Sequence, residues 1–436
     1  MAIVGIRAED KSIWERRVPL VPEDVAKLVA DGVEIVVQRS ERRCFRDVEY
    51  ERAGALLADD LVGADVILGV KEVPVAKLLP DRTWMFFSHT IKGQPHNMPM
   101  LQTLLDRRGT LLDYELVTDD RGIRTIAFGR FAGLAGAIDT LWALGRRFEA
   151  EGLDTPFRRM KQSLEYTDLA DACAAVDELA AAIRGGAVPA SIAPIVIGVT
   201  GQGGKVYGGA REILERLPFR DVAPAHLATA LADASPTEVL LVGYGPGDLV
   251  EPIAPGTTYT WEDYRDHPAG YRARFGAALP HLTAIVHGIL WSPGYPRFIL
   301  RNDLAAVFEN GAHPKLKVLT DVTCDLDGSN EALVRITDPG DPVYVYDPHA
   351  GVARDGIHGA GVVVCAVDIL PSEIPVDASR LFSRSLTPLV PALARGEFPP
   401  ALERATIARR GELVPPWDRK LATPLGRREA LGGSES

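Results

Sequence analysis

The sequence predicts an α/β protein built from two doubly wound domains, and three observations carry that expectation. Short apolar runs alternate with amphipathic stretches from the first residues onward. A glycine-rich turn between a buried apolar run and a helical stretch appears only near Gly201. The 436 residues exceed what one hydrophobic core ordinarily holds. Parallel sheets gather functional residues at the carboxyl ends of their strands. Acid/base groups on one α/β unit and a nucleotide turn on another therefore predict an inter-domain active-site cleft.

Each element follows from its local pattern. Ala2–Ile6 reads as a first strand, Pro22–Gly32 as a helix started by proline and closed by glycine, and Val33–Val37 as a second strand. Tyr50–Ala58 reads as a helix. Val66–Val70, Trp84–Phe87 and Gly109–Tyr114 read as further strands. From Gly133 to Glu151 the apolar spacing is helical and continuous, which suits a long helix leaving the first domain, and 153–193 is helical in pattern. The tail from Gly426, ending Gly432-Gly433-Ser434-Glu435-Ser436, is expected to be mobile.

The second domain opens with Pro194–Thr200, an apolar strand, then Gly201-Gln202-Gly203-Gly204-Lys205-Val206-Tyr207-Gly208-Gly209-Ala210, then a helix over Arg211–Arg216. Strand, glycine turn and helix in that order let backbone N–H groups meet a pyrophosphate, which is the Rossmann-like arrangement. The candidate cofactor residues are Gly201, Gly203, Gly204, Lys205, Gly208 and Gly209, the third glycine of the pattern being either of the last two. No acid follows the next strand near Val222-Ala223-Pro224-Ala225-His226, which leans toward NADPH; NADH remains open, with Asp221 as its reader if that strand ends early.

Composition narrows the partners. With 46% hydrophobic and 25% charged residues the chain has the make-up of an ordinary globular protein. A net charge of −11 argues against nucleic acid and anionic membrane, whose binding is driven by clustered Lys and Arg. No apolar stretch reaches bilayer length and the N-terminus lacks a signal-peptide pattern, so a cytoplasmic protein is expected. Cys44, Cys173, Cys324 and Cys365 are widely spaced, which predicts buried reduced thiols and no metal site. A homo-oligomer is compatible with all of this.

Lys71 in Gly69-Val70-Lys71-Glu72-Val73-Pro74 and His89 in Phe86-Phe87-Ser88-His89-Thr90-Ile91-Lys92 stand at the ends of successive apolar runs, supplying a cation and a titratable imidazole. By residue type alone they also read as a surface lysine and a core histidine. Together with Trp14-Glu15-Arg16-Arg17-Val18-Pro19-Leu20-Val21-Pro22, these motifs resemble the superfamily of alanine dehydrogenases, transhydrogenases and lysine-forming saccharopine dehydrogenases. Within it the sequence is most similar to the lysine–2-oxoglutarate reductase half of the bifunctional aminoadipic semialdehyde synthases. That likeness is carried by Leu112-Asp113-Tyr114-Glu115, by Ala127 to Gly133, and by His287-Gly288-Ile289-Leu290-Trp291. Asp321 to Ser329 and Gly359 to Asp368 continue it, in order, from Gly5 to about Leu413.

The resemblance implies NADPH-dependent reductive condensation of lysine with 2-oxoglutarate to saccharopine. It implies proton transfer shared by Lys71 and His89, with the donor of the two left open. A lysine near its ordinary pKa of about 10.4 is a poor base at neutral pH, so burial or a neighbouring cation has to depress it by about two to three units. Arg17 is implied as the substrate-carboxylate arginine, with Arg16 facing away. Glu15, Glu72 and Glu115 orient the cations or bind the substrate amine, or are solvated strand-end charges. Lys92 and Arg130 are further carboxylate candidates. Asp325 lies near nicotinamide and substrate in this reading, or is a turn aspartate.

The segment from about Val345 is implied to cross back to the first domain. The expected division is therefore a substrate domain, 1–131 completed by 345–436, and a dinucleotide domain, 132–344. Two other functions stay open: an opine-type or amino-acid dehydrogenase with a different amine or oxo acid, and a non-catalytic nucleotide-binding sensor. The family blocks end near Leu413, so the second dehydrogenase of the bifunctional synthases is not expected here.

Overall fold

The computed structural model describes residues 1–309 and 314–426, so the tail expected to be mobile lies outside the described residues beyond Gly426. The chain divides into two compact units, one of Met1–Phe128 with the chain from Pro375 onward, the other of Gly129–Ile374.

In the first unit, β1 (Val4–Ile6), β2 (Ile35–Gln38), β3 (Leu56–Ala58), β4 (Val66–Leu68), β5 (Thr83–Phe86) and β6 (Thr110–Asp113) form a parallel sheet in the order β6-β5-β4-β1-β2-β3. The central strands β1 and β4 are buried throughout, as strands covered on both faces must be. Helix α1 (Pro22–Ala30) starts on proline, carries Glu23 and Asp24 in its first turn, and buries Val25 and Leu28 against the sheet. Burial of each such side chain stabilises the unit by roughly 1.5–3 kcal/mol. The expected helix from Tyr50 to Ala58 is a correction. Helix α2 covers only Asp47–Arg52, Ala53-Gly54 breaks it, and Leu56–Ala58 is the edge strand β3, with Leu56 exposed. Helix α3 (Met98–Asp106) links β5 to β6.

The second unit starts with α4 (Gly129–Ala150), a long helix buried on most of its circumference and begun four residues earlier than the apolar spacing suggested. The helical reading of 153–193 holds only for α5 (Leu169–Arg184). Before it, Pro156–Arg159 and Ser163–Glu165 are single 3₁₀ turns. The ten strands described in this unit are β7 (Ile195–Thr200), β8 (Phe219–Val222), β9 (Val239–Tyr244), the hairpin-like pair β10 (Val250–Pro252) and β11 (Tyr271–Ala273), β12 (Ala284–His287), β13 (Val318–Asp321), β14 (Val343–Asp347), β15 (Val352–Asp355) and β16 (Val362–Cys365). Eight of them form one sheet in the order β15-β14-β16-β13-β12-β7-β9-β8.

This corrects the expected return at 345. β14 runs antiparallel beside β16, and β16 lies parallel to β13, so both are core strands of the second sheet. The crossing falls instead at Ile374 and Pro375. From there β17 (Thr406–Arg409) and β18 (Glu412–Leu413) extend the first sheet antiparallel beyond β6.

The helix after the glycine turn, α6 (Lys205–Leu214), begins six residues before the expected Arg211, which puts Gly208 and Gly209 inside it. A Cβ on Gly209 would stand 2.0 Å from the Arg130 carbonyl oxygen, and one on Gly133 2.0 Å from that of Val206. These two glycines bring α4 and α6 into backbone contact. Gly209 therefore packs α6 against α4, whereas a Cβ on Gly208 meets nothing within 4 Å.

Candidate active site

In the first unit the strand ends build one charged cluster. The turn after β4, Gly69–Glu72, is tied to the loop after β1. The buried Glu9 carboxylate accepts the N–H of Val70 at 2.8 Å and of Lys71 at 3.0 Å, and Arg7 Nη1–H at 3.2 Å. Burial pushes the Glu9 carboxyl up against the opposing charge of Arg7. The turn after β5 is tied to β6 in the same way. Asp113, the buried last residue of β6, accepts the Ser88 N–H at 2.9 Å, the Ser88 hydroxyl, and the Glu115 N–H at 2.8 Å. Burial raises Asp113 to about 6 in spite of these donors.

His89 follows Ser88 with a left-handed φ of +50°, a conformation costing a non-glycine residue on the order of 1 kcal/mol. It is held from two sides: Asn97 Nδ2–H donates to its carbonyl at 3.0 Å, and its Nδ1 lies 2.7 Å from Glu72 Oε1. Lys11 Nζ donates to the same Oε1 at 2.7 Å. Burial raises the Glu72 carboxyl, but hydrogen bonds and charge from His89 and Lys11 outweigh it and hold it at about 2. Lys71 is half-buried, and burial first, then the Arg17 charge, lower its ammonium pKa against Glu72 and Glu15. The direction is the one a proton-accepting lysine requires.

Arg17 and Glu15 are both buried and paired with each other. Glu15 Oε1 accepts Nε–H at 2.8 Å and Oε2 accepts Nη2–H at 2.5 Å. Phe128 lies 4.2 Å beneath the guanidinium and stacks on Phe382. One edge of the fork is thus committed to Glu15, and three of its five N–H donors remain for another carboxylate. Glu115 lies 3.6 Å from Arg124, which in turn sits over the Phe87 ring. Lys92 is exposed on the loop beyond His89.

The structure therefore brings Lys71, His89, Glu72, Glu15 and Arg17 together and adds Lys11, Glu9, Asp113 and Arg124, which sequence reasoning missed. Acids at the last position of a strand, or just after one, were the available signal. Arg130 lies in the second unit, where its Nε–H donates to Glu212 Oε2 at 2.8 Å and its Nη2–H donates to Oε1.

In the second unit the turn after β7 has the geometry of a phosphate cradle. Gly201 and Gly203 take φ of +85°, and Gly201 has no room for a Cβ, which would meet the Gly288 carbonyl oxygen at 2.9 Å. Gly203, Gly204 and Lys205 are exposed at the start of α6, whose first N–H groups point toward the turn. These residues fit a dinucleotide pyrophosphate. Asp221 lies on the edge strand β8, and its carboxylate accepts Arg211 Nη1–H at 2.7 Å. Because β9 stands between β8 and β7, the residue after β8 is not the one beside the turn, and the argument from Val222 for NADPH loses its geometric basis.

His287 is buried at the end of β12 between Thr200 Oγ1 at 3.0 Å and Ser329 Oγ at 2.7 Å, and burial lowers its pKa, so it serves as a neutral tie among strand ends. Asp321 fixes the following turn through Thr323 and Asn330. Asp325 is exposed on that turn. Cys365 is buried while Cys44, Cys173 and Cys324 are half-buried, which corrects the expectation that all four are buried. Among the described residues no helix is long and apolar enough to cross a membrane.

Residues 5–135 match the family described as alanine dehydrogenase/PNT, N-terminal domain. The chain is 33% identical to the mitochondrial alpha-aminoadipic semialdehyde synthase of Bos taurus, over 94% of this chain and 47% of that protein. It is 36% identical to the alpha-aminoadipic semialdehyde synthase of Arabidopsis thaliana, over 94% of this chain and 40% of that protein. The chain thus spans less than half the length of these synthases. It is 28% identical to the saccharopine dehydrogenase (NAD⁺, L-lysine-forming) of Yarrowia lipolytica, over 92% of this chain and 94% of that protein. Among solved structures, an L-alanine dehydrogenase shares the fold with a TM-score of 0.61 at 16% identity, covering 97% of this chain and 99% of that one.

Proposed function

We propose that this chain is an NAD(P)-dependent oxidoreductase of the alanine dehydrogenase and transhydrogenase superfamily, acting on CH–NH bonds, and that it joins L-lysine to 2-oxoglutarate reductively, giving saccharopine. The observation that carries the reading is the cluster of Lys71, His89, Glu72, Arg17 and Glu15 on adjoining strand ends. Arg17 binds a carboxylate of the oxo acid with the donors that Glu15 leaves, and Glu15 keeps the guanidinium planar against Phe128.

The ε-amine of lysine attacks the ketone carbon, and the carbinolamine then loses its hydroxyl as water to give the imine. His89, held at Nδ1 by Glu72, offers Nε2 for the proton exchanged with that hydroxyl. Lys71, with its depressed pKa, takes or returns the proton of the attacking amine. A bound nicotinamide nucleotide would supply the hydride that reduces the imine carbon. Gly201, Gly203, Gly204 and the start of α6 would hold its pyrophosphate. The cofactor is proposed as NADPH on the resemblance of the chain to the reductase half of the synthases. NADH is the alternative, favoured by the name of the Yarrowia lipolytica relative.

The test is NADPH oxidation by purified protein with lysine, 2-oxoglutarate, both, or neither, with the product identified by mass. Oxidation that requires both and yields saccharopine supports the reading. A requirement for a different amine or oxo acid would replace the substrate pair, and no oxidation with any pair would leave a nucleotide-binding protein without this chemistry. Relative kcat/KM with NADPH and NADH decides the cofactor.

A further inference from the structure

Three turns of the first unit carry charge where the backbone favours glycine or asparagine. Helix α3 is followed by Arg108 at a left-handed φ of +56°, the position beyond the C-cap that glycine usually takes. The two-residue turn from β17 to β18 is Arg410-Gly411, with φ of +49° and +88°, and asparagine or aspartate is usual at its first position. Asp81, just before β5, has φ of +57°. Each such position costs a non-glycine residue on the order of 1 kcal/mol.

These turns meet. A Cβ on Gly411 would stand 3.1 Å from the Arg108 Cα, and the Gly411 N–H donates to the Gly109 carbonyl at 2.9 Å. Arg410 N–H donates to Thr110 Oγ1 at 3.1 Å, and Asp81 N–H to the Arg107 carbonyl at 2.8 Å. Between them lies a pocket of about 320 Å³ whose walls include Arg82, Arg108, Arg410, Thr83 and Thr110. Its two acids are engaged: Asp81 Oδ1 pairs with Arg108 Nη2 at 2.7 Å, and Asp65 Oδ2 accepts the Ile3 N–H at 2.9 Å. Arg82 gives one N–H to the Val62 carbonyl at 2.8 Å. Arg410 is exposed, with no acid at ion-pair distance among the described residues. The pocket lies at the amino ends of β5 and β6, whereas the turns bearing His89 and Glu115 follow their carboxyl ends, so it is separate from the catalytic cluster.

We propose that this pocket is an anion site that takes a phosphorylated small molecule through Arg82, Arg108 and Arg410. A guanidinium fork gives two parallel N–H donors to phosphate oxygens, and turns tied to one another hold the forks in place. The Thr110 hydroxyl, which accepts from Arg410, keeps its own proton to donate. In a chain of net charge −11, arginines at positions that favour uncharged residues are explained by an anion that they meet together.

The test is calorimetric titration of the full chain with inorganic phosphate, pyrophosphate and acetate. The wild type should bind pyrophosphate at least as tightly as phosphate, and both about tenfold or more tighter than acetate. Arg108→Gly combined with Arg410→Asn should weaken pyrophosphate by about tenfold or more. Both substitutions supply residues that the turns favour, so the variant should melt no lower than the wild type. Arg410→Asn alone should give a smaller loss of the same kind. Gly201→Val, which closes the glycine turn of the second unit, should leave this binding in place. Unchanged pyrophosphate affinity in the arginine variants, a loss confined to Gly201→Val, or no binding of either phosphate by the wild type would overturn the proposal. Acetate bound as tightly as phosphate would overturn the ligand class.

Discussion

At the residue scale, the arrangement makes separate demands on each member of the charged cluster. Lys71→Met and His89→Gln should each lower turnover by about two or more orders of magnitude while nucleotide binding survives, the usual worth of positioned acid/base groups. Wild-type turnover in both folded variants would contradict the assignment. Arg17→Ala should chiefly raise the KM for the oxo acid by about tenfold or more, because a charge-assisted carboxylate partner is lost. Loss of nucleotide affinity alone would move Arg17 out of the substrate site.

The same substitution removes the cation that, after burial, does most to depress Lys71. Labelling of lysines with an amine-selective reagent at rising pH, read by mass spectrometry, should show Lys71 reacting at lower pH than exposed lysines in the wild type. In Arg17→Ala the onset should shift upward. An onset at the pH of surface lysines in the wild type would show that the amine is not depressed. Most of this cluster was legible because charged residues directly after apolar runs mark strand ends. Glu9 was not, since nothing in Ile6-Arg7-Ala8-Glu9-Asp10 shows that its carboxylate will close over the backbone of Val70 and Lys71, sixty residues away.

At the scale of elements, Asp113 and the two helical glycines give contrasting tests. Burial raises Asp113 to about 6, above its unfolded value near 4, so the folded chain binds more protons between those pH values. The stability this group contributes is fully present below about pH 4 and is lost as pH rises through about 6. Asp113→Asn should flatten that part of the denaturation profile. By loosening the Ser88 turn it should also cut turnover, and an unchanged profile would show that Asp113 does not titrate there. On α6, Gly208→Ala should stabilise by about 0.5–1 kcal/mol, from helix propensity alone, with nucleotide affinity kept. Gly209→Ala should destabilise by about 1–3 kcal/mol, because its Cβ would enter the α4 backbone. Equal melting temperatures for the two variants would contradict the packing role.

The lateral strand order was partly legible too. Phe219-Arg220-Asp221-Val222 carries two charges, as an edge strand does, and Val239–Tyr244 is apolar throughout, as an interior strand is. Sequence order suggested the opposite placement because strand pairing is a long-range choice that local pattern does not encode. The late crossing at Ile374 was missed for the same reason. Val343–Asp347 has a continuous apolar character that suits either sheet, and only its antiparallel register with Val362–Cys365 assigns it.

At the scale of the whole molecule, the first unit holds the Lys71 and His89 cluster and the second holds the glycine turn proposed to take the nucleotide, so activity should need both. Variants of Gly201 should abolish nucleotide binding, while variants of Lys71 abolish only turnover. The central claim is that this chain couples an amine to an oxo acid by reducing the imine between them. The most direct measurement is a mass balance on purified protein given lysine, 2-oxoglutarate and reduced nucleotide. One saccharopine should form per nucleotide oxidised, with neither substrate sufficient alone. Nucleotide oxidised with 2-oxoglutarate and free ammonia in place of lysine, with no product retaining the lysine carbons, would contradict it.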